Sequence, residues 1–343
     1  MGEFLCRNEL PFPTLDFPYD ENKQEGVFES EEKLHLSDKI LLPIGGGKDS
    51  VVSLELLRNL DKEITPISAG TAPAIEQVIK LSGLGKHLMI KRELSEHLFE
   101  LNHQGKVYNG HIPVTGVLAF MILSTAALYD YKYVVMSNER SANEGNKIYE
   151  GVEVNHQWSK SLSFEKAFYE ITKEVLADFT YFSLLRGFSE YKIASLFAKL
   201  CRPYFQGFTS CNKAFRLETE NRLKSWCLNC DKCRFVFLIL APFLSKEELL
   251  SIFGKNLLED RTQEEGFLEL LGLHGFKPFE CVGEVKESRL AIYKLSKDEN
   301  WKETNFIKRV LPFFKDDFDA LEKELMFPSS LHMIPKEFQH VLS

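Results

Sequence analysis

Lys39-Ile40-Leu41-Leu42-Pro43-Ile44-Gly45-Gly46-Gly47-Lys48-Asp49-Ser50 decides how this chain is read. An apolar run of strand type enters three consecutive glycines and then Lys-Asp-Ser. Val51, Val52, Leu54, Leu56, Leu57 and Leu60 follow at helical spacing. Glycine lets a backbone turn tightly and approach a ligand, and the unpaired N–H groups that open a helix point at an anion. The run therefore predicts a phosphate-binding strand–loop–helix in which Gly45, Gly46, Gly47, Lys48, Asp49 and Ser50 meet the phosphates. A Walker A loop places Ser or Thr directly after Gly-Lys, whereas here Asp49 stands between Lys48 and Ser50. The alternative is a glycine-rich turn with no ligand.

Outward from the loop the pattern alternates. Strands are expected over 39–44, 63–69, 87–91 and 132–136, and helices over 50–60, about 73–81 and 114–129. This is the signature of an α/β fold with a doubly wound, mostly parallel sheet. Ligands of such sheets bind beyond the carboxyl ends of the strands. The loops after Ile44, Ala69 and Met136 should then surround one crevice, with Ala69 beside the nucleotide. From about Ser163 the pattern reads as mainly helical, with Phe164, Phe168, Tyr169, Phe179, Tyr181 and Phe182 as core. Amphipathic helices are expected at 246–258 and 263–272. Three parts follow: an extended, acidic N-terminal arm (1–37), a nucleotide-binding domain carrying a cysteine cluster (38–243), and a helical C-terminal region (244–343).

With 343 residues the chain suffices for about two domains. No run approaches the roughly 18 apolar residues of a membrane span. The N-terminus also lacks the basic-then-apolar pattern of a signal peptide, so a cytoplasmic protein without a membrane partner is expected. A net charge of -8 argues against a general nucleic-acid binder. The charge is uneven: residues 186–234 hold ten Lys or Arg against four Asp or Glu, a balance of +6 that leaves -14 elsewhere. That segment either receives an anionic substrate or is a solvated basic face.

Two further clusters carry candidate chemistry. The loop Ser137–Asn146 contains Glu139 and Glu144, which could hold Mg²⁺ or act as acid and base, and Arg140, suited to a carboxylate or phosphate. Asn155–Ser161 adds His156 and Lys160, and His111 is a weaker candidate. The bland alternative is a polar surface loop and a structural histidine. Of seven cysteines, Cys211, Cys227, Cys230 and Cys233 can close a tetrahedral zinc site, which when closed is structural. An iron–sulfur cluster or plain buried thiols are the other readings.

Gly46-Gly47-Lys48-Asp49-Ser50 resembles the Ser-Gly-Gly-x-Asp-Ser loop of the N-type ATP pyrophosphatases (the PP-loop superfamily), with Gly45 in place of the first Ser. That resemblance implies an adenine nucleotide alpha hydrolase-like fold and cleavage of ATP between its α and β phosphates. The loop joined to a cysteine quartet is similar to the queuosine-precursor (deazaguanine) synthases. Several runs together resemble one family, the UDP-N-acetylmuramoyl-L-alanyl-L-glutamate epimerases of peptidoglycan synthesis. They are Pro43–Ser50, Ser137–Asn146, Asn155–Ser161, Trp226–Pro242 and Lys277–Glu284. Members are expected to carry a longer N-terminal region than this chain has before its loop.

The resemblance implies an ATP-dependent isomerase acting on a UDP-activated muramoyl dipeptide, functionally coupled to the ligase that adds its L-Glu. Lys48 would neutralise charge at the α-phosphate and Asp49 would support Mg²⁺. Glu139 and Glu144 would serve as metal ligands or base, with His156 and Lys160 as the opposite-face pair or substrate clamps. The 186–234 segment would receive the UDP diphosphate. Cys281 is a thiol that could act as base, though a buried structural cysteine is the more ordinary role. Two rivals remain open at this point. One is a ligase or sulfur-inserting enzyme of the same superfamily acting on a deazaguanine acid or tRNA. The other is a non-catalytic ATP- and zinc-binding module.

Overall fold

Ile40, Leu41 and Leu42 are fully buried because their strand is the middle of a sheet covered on both faces. The computed structural model describes residues 1–14, 35–105, 107–110, 112–216, 219–275 and 277–342. Strand β1 (Ile40–Pro43) pairs in parallel with β2 (Ile64–Ala69) and β4 (Tyr133–Met136). β3 (Leu88–Ile90) lies outside β2, and β7 (Thr180–Ser183) outside β4. The order is β3-β2-β1-β4-β7, all parallel. β5 (Lys147–Tyr149) and β6 (Val152–Val154) form a separate antiparallel hairpin. Glu150 and Gly151 turn it with positive φ at both residues, the geometry whose twist matches flanking strands.

The crossovers are α2 (Lys48–Leu57), α3 (Pro73–Ser82), α5 (Val114–Tyr129) and α6 (Leu162–Val175). The short α1 (Gly2–Arg7) and α4 (Glu96–Gln104) stand outside this alternation. α7 (Glu190–Leu200) and α8 (Asp231–Leu240) follow β7. One sheet face packs on α2 and α7 through Val51, Val52, Leu54, Ile193 and Phe197. The other packs on α5 and α6 through Ala119, Ile122, Phe164 and Phe168. Full burial of each Val, Leu, Ile or Phe among them contributes about 1.5–3 kcal/mol, so two covered faces hold the strand ends in fixed relation. The first core extends from the sheet through α8 into α9 (Lys246–Phe253), α10 (Glu264–Leu270), α11 (Val285–Lys297), α12 (Asn305–Val310), α13 (Phe318–Met326) and α14 (Lys336–Gln339). Among the described residues no helix is long and apolar enough to cross a membrane.

Three local expectations differ from what is seen. The stretch after Ser163 is not helical throughout: α6 ends at Val175 and Thr180–Ser183 is the fifth strand. Its residues are covered on both faces, so it lacks the alternation that marks a half-exposed strand. Phe164, Phe168, Phe179, Tyr181 and Phe182 are core as expected, while Tyr169 is 37% exposed on the outer side of α6. The helix expected over 246–258 stops at Phe253, where Gly254 takes a left-handed cap. Nor is the N-terminal arm wholly extended. Residues 2–7 form α1, with Leu5 and Glu3 buried, while the acidic run between Asp16 and Glu32 lies outside the described residues.

Candidate active site

Ile44 continues β1 by donating its N–H to Ile67 O (2.8 Å), and the chain then turns through the glycines. Gly46 has φ +79, and a Cβ there would lie 2.8 Å from Ala74 Cβ and 2.9 Å from Ala74 C. Angle and space both demand glycine. A Cβ on Gly47 would meet Ser210 Oγ at 2.7 Å, and Thr209 N–H donates to Gly46 O (3.0 Å). Gly47 is the N-cap of α2 and brings no capping side chain, so the first N–H groups of that helix stay available to an anion. Beside the loop is an apolar crevice of about 210 Å³, walled by Ile44, Gly45, Ala69, Ile75, Ile90 and Phe215.

Below the loop, three strand ends deliver three carboxylates. Asp49 follows β1, Glu139 follows β4, and Glu190 follows β7 at the start of α7. Their oxygens lie within 4.8 Å of one another. Lys48, 2% exposed, donates to both Asp49 and Glu190. Burial works against its charge, but the two carboxylates outweigh that and hold the amine above its ordinary range. Burial pushes the Glu190 carboxyl well up, against the pull of Lys48. A cluster of oxygen donors only, with more acids than Lys48 can balance, fits a hard divalent cation such as Mg²⁺.

Lys160, Lys232 and Cys281 line the same pocket. Lys160 Nζ donates to Cys281 Sγ (3.1 Å), and the His156 imidazole also hydrogen-bonds this thiol. His156 Nδ1 meets the buried Glu3 carboxylate at 2.5 Å, and its backbone N–H donates to Asn146 Oδ1 (2.9 Å). Burial alone would raise the Cys281 thiol. Lys160, Lys232 and the His156 bond outweigh it and draw the thiol down to about 6. Burial alone would lower His156, but Cys281 and Glu3 hold it up at about 9. Arg186, fully buried, donates to Glu139 O (2.8 Å) and to Lys160 O, and pairs with Glu165 (3.2 Å). One guanidinium thus anchors the backbone of two pocket residues.

Cys211, Cys227, Cys230 and Cys233 bring their sulfurs within 4.8 Å of one another. The Cys227–Cys233 and Cys230–Cys233 separations are 3.7 and 3.5 Å. Four ligands at the Zn–S bond length span tetrahedron edges of about 3.8 Å, so the quartet fits zinc. Left-handed Leu228 (φ 59) makes the turn between Cys227 and Cys230, and Asn229 N–H donates to Cys227 Sγ (3.4 Å).

Residues 1–184 match the family model described as the MurL N-terminal domain, and residues 207–324 the one described as the MurL C-terminal domain. The UDP-N-acetyl-alpha-D-muramoyl-L-alanyl-L-glutamate epimerase of Xanthomonas oryzae pv. oryzae is 42% identical over 98% of this chain and 74% of its own length. The chain belongs to this epimerase family. Proteins of the same name from a Micromonospora species and from Salinispora tropica are 38% and 40% identical, over 100% and 91% of this chain and 76% and 67% of their own lengths.

Within this epimerase-family chain, Lys48, Asp49, Glu139 and Lys160 line one pocket, and His156 reaches it through Cys281. Glu144 does not line it: the side chain is 45% exposed and pairs with Lys277 at 2.5 Å. Arg140 turns to Glu284 (3.3 Å) rather than into the pocket. His111 lies outside the described residues. Within the basic 186–234 segment Arg186 pairs with Glu165 and Arg234 with Asp231, whereas Lys199, Arg202, Arg216 and Lys224 are exposed. Sequence reasoning missed Glu190, Ser210, Lys232 and Glu3. Glu190 opens the helix after the unforeseen fifth strand, and Lys232 sits inside the Cys-x-x-Cys step itself. Both stand in legible sequence contexts; Glu3, 153 residues from its partner His156, does not.

Proposed function

We propose that this chain is an ATP-dependent epimerase that inverts the terminal L-Glu of UDP-N-acetylmuramoyl-L-alanyl-L-glutamate to D-Glu, releasing AMP and pyrophosphate, in peptidoglycan precursor synthesis. Family membership supports the substrate. The observation that carries the mechanism is the meeting of Lys48, which follows the glycine loop, the Asp49–Glu139–Glu190 cluster and the Lys160–Cys281 pair around one pocket. A free carboxylate makes its own α-proton hard to remove, because the resulting anion would carry two adjacent negative charges. Activation as an acyl phosphate removes that obstacle.

The apolar crevice beside Ala69 suits an adenine ring, and the loop N–H groups suit the leaving pyrophosphate, in the manner of the PP-loop superfamily. Lys48 is placed to neutralise charge at the α-phosphate, where a preorganised cation lowers the cost of charge development. Asp49, Glu139 and Glu190 would hold Mg²⁺, which supplies further charge neutralisation on the nucleotide. The four cysteines would hold a structural zinc. The glutamate α-carboxylate attacks the ATP α-phosphate, the α-proton leaves, the opposite face is reprotonated, and water releases AMP. The runs Ser137–Asn146 and Lys277–Glu284, which a deazaguanine or tRNA enzyme leaves without a role, are joined here by the Asn146 to Pro278 O bond (3.0 Å).

The test is one reaction in deuterated water with Mg²⁺, ATP and the UDP-muramoyl dipeptide. D-Glu carrying one α-deuteron, formed together with AMP and pyrophosphate, is the expected product. Unchanged L-Glu with no pyrophosphate overturns the assignment.

A further inference from the structure

We propose that Cys281 takes the α-proton in the epimerisation, with Glu3 and His156 as its positioning residues; this rests on the proposed function above. Glu3 on α1, His156 after β6 and Cys281 before α11 form a continuous carboxylate–imidazole–thiol line. Cys281 Sγ ends that line in the pocket wall, where it also accepts from Lys160 Nζ at 3.1 Å. A carboxylate that fixes the far edge of an imidazole and presents the near edge to a nucleophile is the arrangement by which proteins hold a thiolate–imidazolium pair. Here two cationic donors converge on one sulfur.

Lys48 and Lys160 are each held by a charged or polar partner. Lys48 is tied to Asp49 and Glu190. Lys160 is held as an ammonium: burial works against its charge, but Cys281 and Glu139 outweigh it and raise the amine. An ammonium cannot remove a proton. The carboxylates cluster on the side of the nucleotide loop. Cys281 Sγ, bonded by both Lys160 and His156, is the thiol that meets the cavity.

The Cα–H bond breaks, its proton passes to Cys281 Sγ, and its electron pair enters the carbonyl of the acyl adenylate as an enolate. A solvent-derived proton adds to the opposite face and restores the Cα–H bond. Water cleaves the mixed anhydride, and the thiol returns its proton to solvent, so the net change is inversion at Cα and exchange of one hydrogen.

The experiment separates the half-reactions. Substrate-dependent exchange between pyrophosphate and ATP reports adenylation, and α-deuteron uptake in deuterated water reports proton removal. Cys281→Ala and Cys281→Ser should lower deuteron uptake by about 10²-fold or more, the usual worth of a positioned base, while adenylation persists. Glu3→Gln should lower kcat for deuteron uptake about tenfold without moving KM for the dipeptide or the adenylation rate, a split that a merely structural Glu3 does not produce. Deuteron uptake within tenfold of the unaltered protein in Cys281→Ser, or loss of both half-reactions in both Cys281 variants, overturns the assignment. Absence of substrate-dependent exchange in the unaltered protein overturns the proposed function, and this inference with it.

Discussion

Arg186 offers a quantitative test of how the pocket is held. Its guanidinium has no exposed surface, pairs with Glu165 at 3.2 Å, and carries the carbonyls of Glu139 (2.8 Å) and Lys160. Arg186→Met strands a buried carboxylate, a change that costs about 3–5 kcal/mol. The two carbonyls each lose a donor, adding about 1 kcal/mol apiece. The Glu165 carboxyl is already pushed up by burial, against the pull of Arg186 and Ser183. Taking up a proton is therefore easy for it, which puts the first cost at its lower end. The single variant should lose about 5 kcal/mol in guanidinium unfolding followed by tryptophan fluorescence. Arg186→Met combined with Glu165→Leu removes the stranded group and should recover about 3 kcal/mol of this. The double variant should nonetheless stay about tenfold slower in pyrophosphate release, because the Glu139 and Lys160 backbones have lost their anchor. A single variant within 1 kcal/mol of the unaltered protein, or a double variant no more stable than the single, refutes the reasoning.

The Cys281 thiol faces Lys160, Lys232, His156 and Glu139, and its depressed value of about 6 with His156 raised to about 9 sets a window. The thiolate is lost as pH falls through about 6 and the imidazolium as pH rises through about 9, so kcat/KM for deuteron uptake should be bell-shaped between them; a profile flat from 5 to 10 contradicts the pairing. Gly46→Ala forces a Cβ onto Ala74 at a φ of +79 and should weaken ATP binding at least tenfold by calorimetry. Gly45→Ala, with nothing within 4 Å, should leave the melting temperature unchanged. Cys230→Ser should abolish stoichiometric zinc in elemental analysis and lower the melting temperature, and a chelated protein that melts like the metal-loaded one removes the structural role.

Legibility followed locality. The glycine loop, the first four strands and the 114–129 helix are written in contiguous residues, and the structure places them within a residue or two. Lys48, Asp49 and Glu139 were legible because each stands at a strand end. The four-residue β7 has aromatic side chains covered on both faces, so nothing alternates, and losing that strand also hid Glu190. Glu144 misled because its neighbourhood is polar for another reason, the ion pair with Lys277. The Glu3–His156–Cys281 line joins residues spread across 279 positions, and no local pattern can announce it.

The cysteine quartet is fastened to the glycine loop from behind. Cys211 follows Ser210, against which Gly47 rests, and Thr209, which hydrogen-bonds Gly46; Lys232 projects into the pocket from between Cys230 and Cys233. With zinc held there as proposed, thiol-directed reagents and chelators would act as inhibitors that no concentration of ATP or dipeptide can displace. A compound aimed at that knot would reach the enzyme through a chemistry its substrates do not share, and resistance would have to arise away from the substrate-contacting residues.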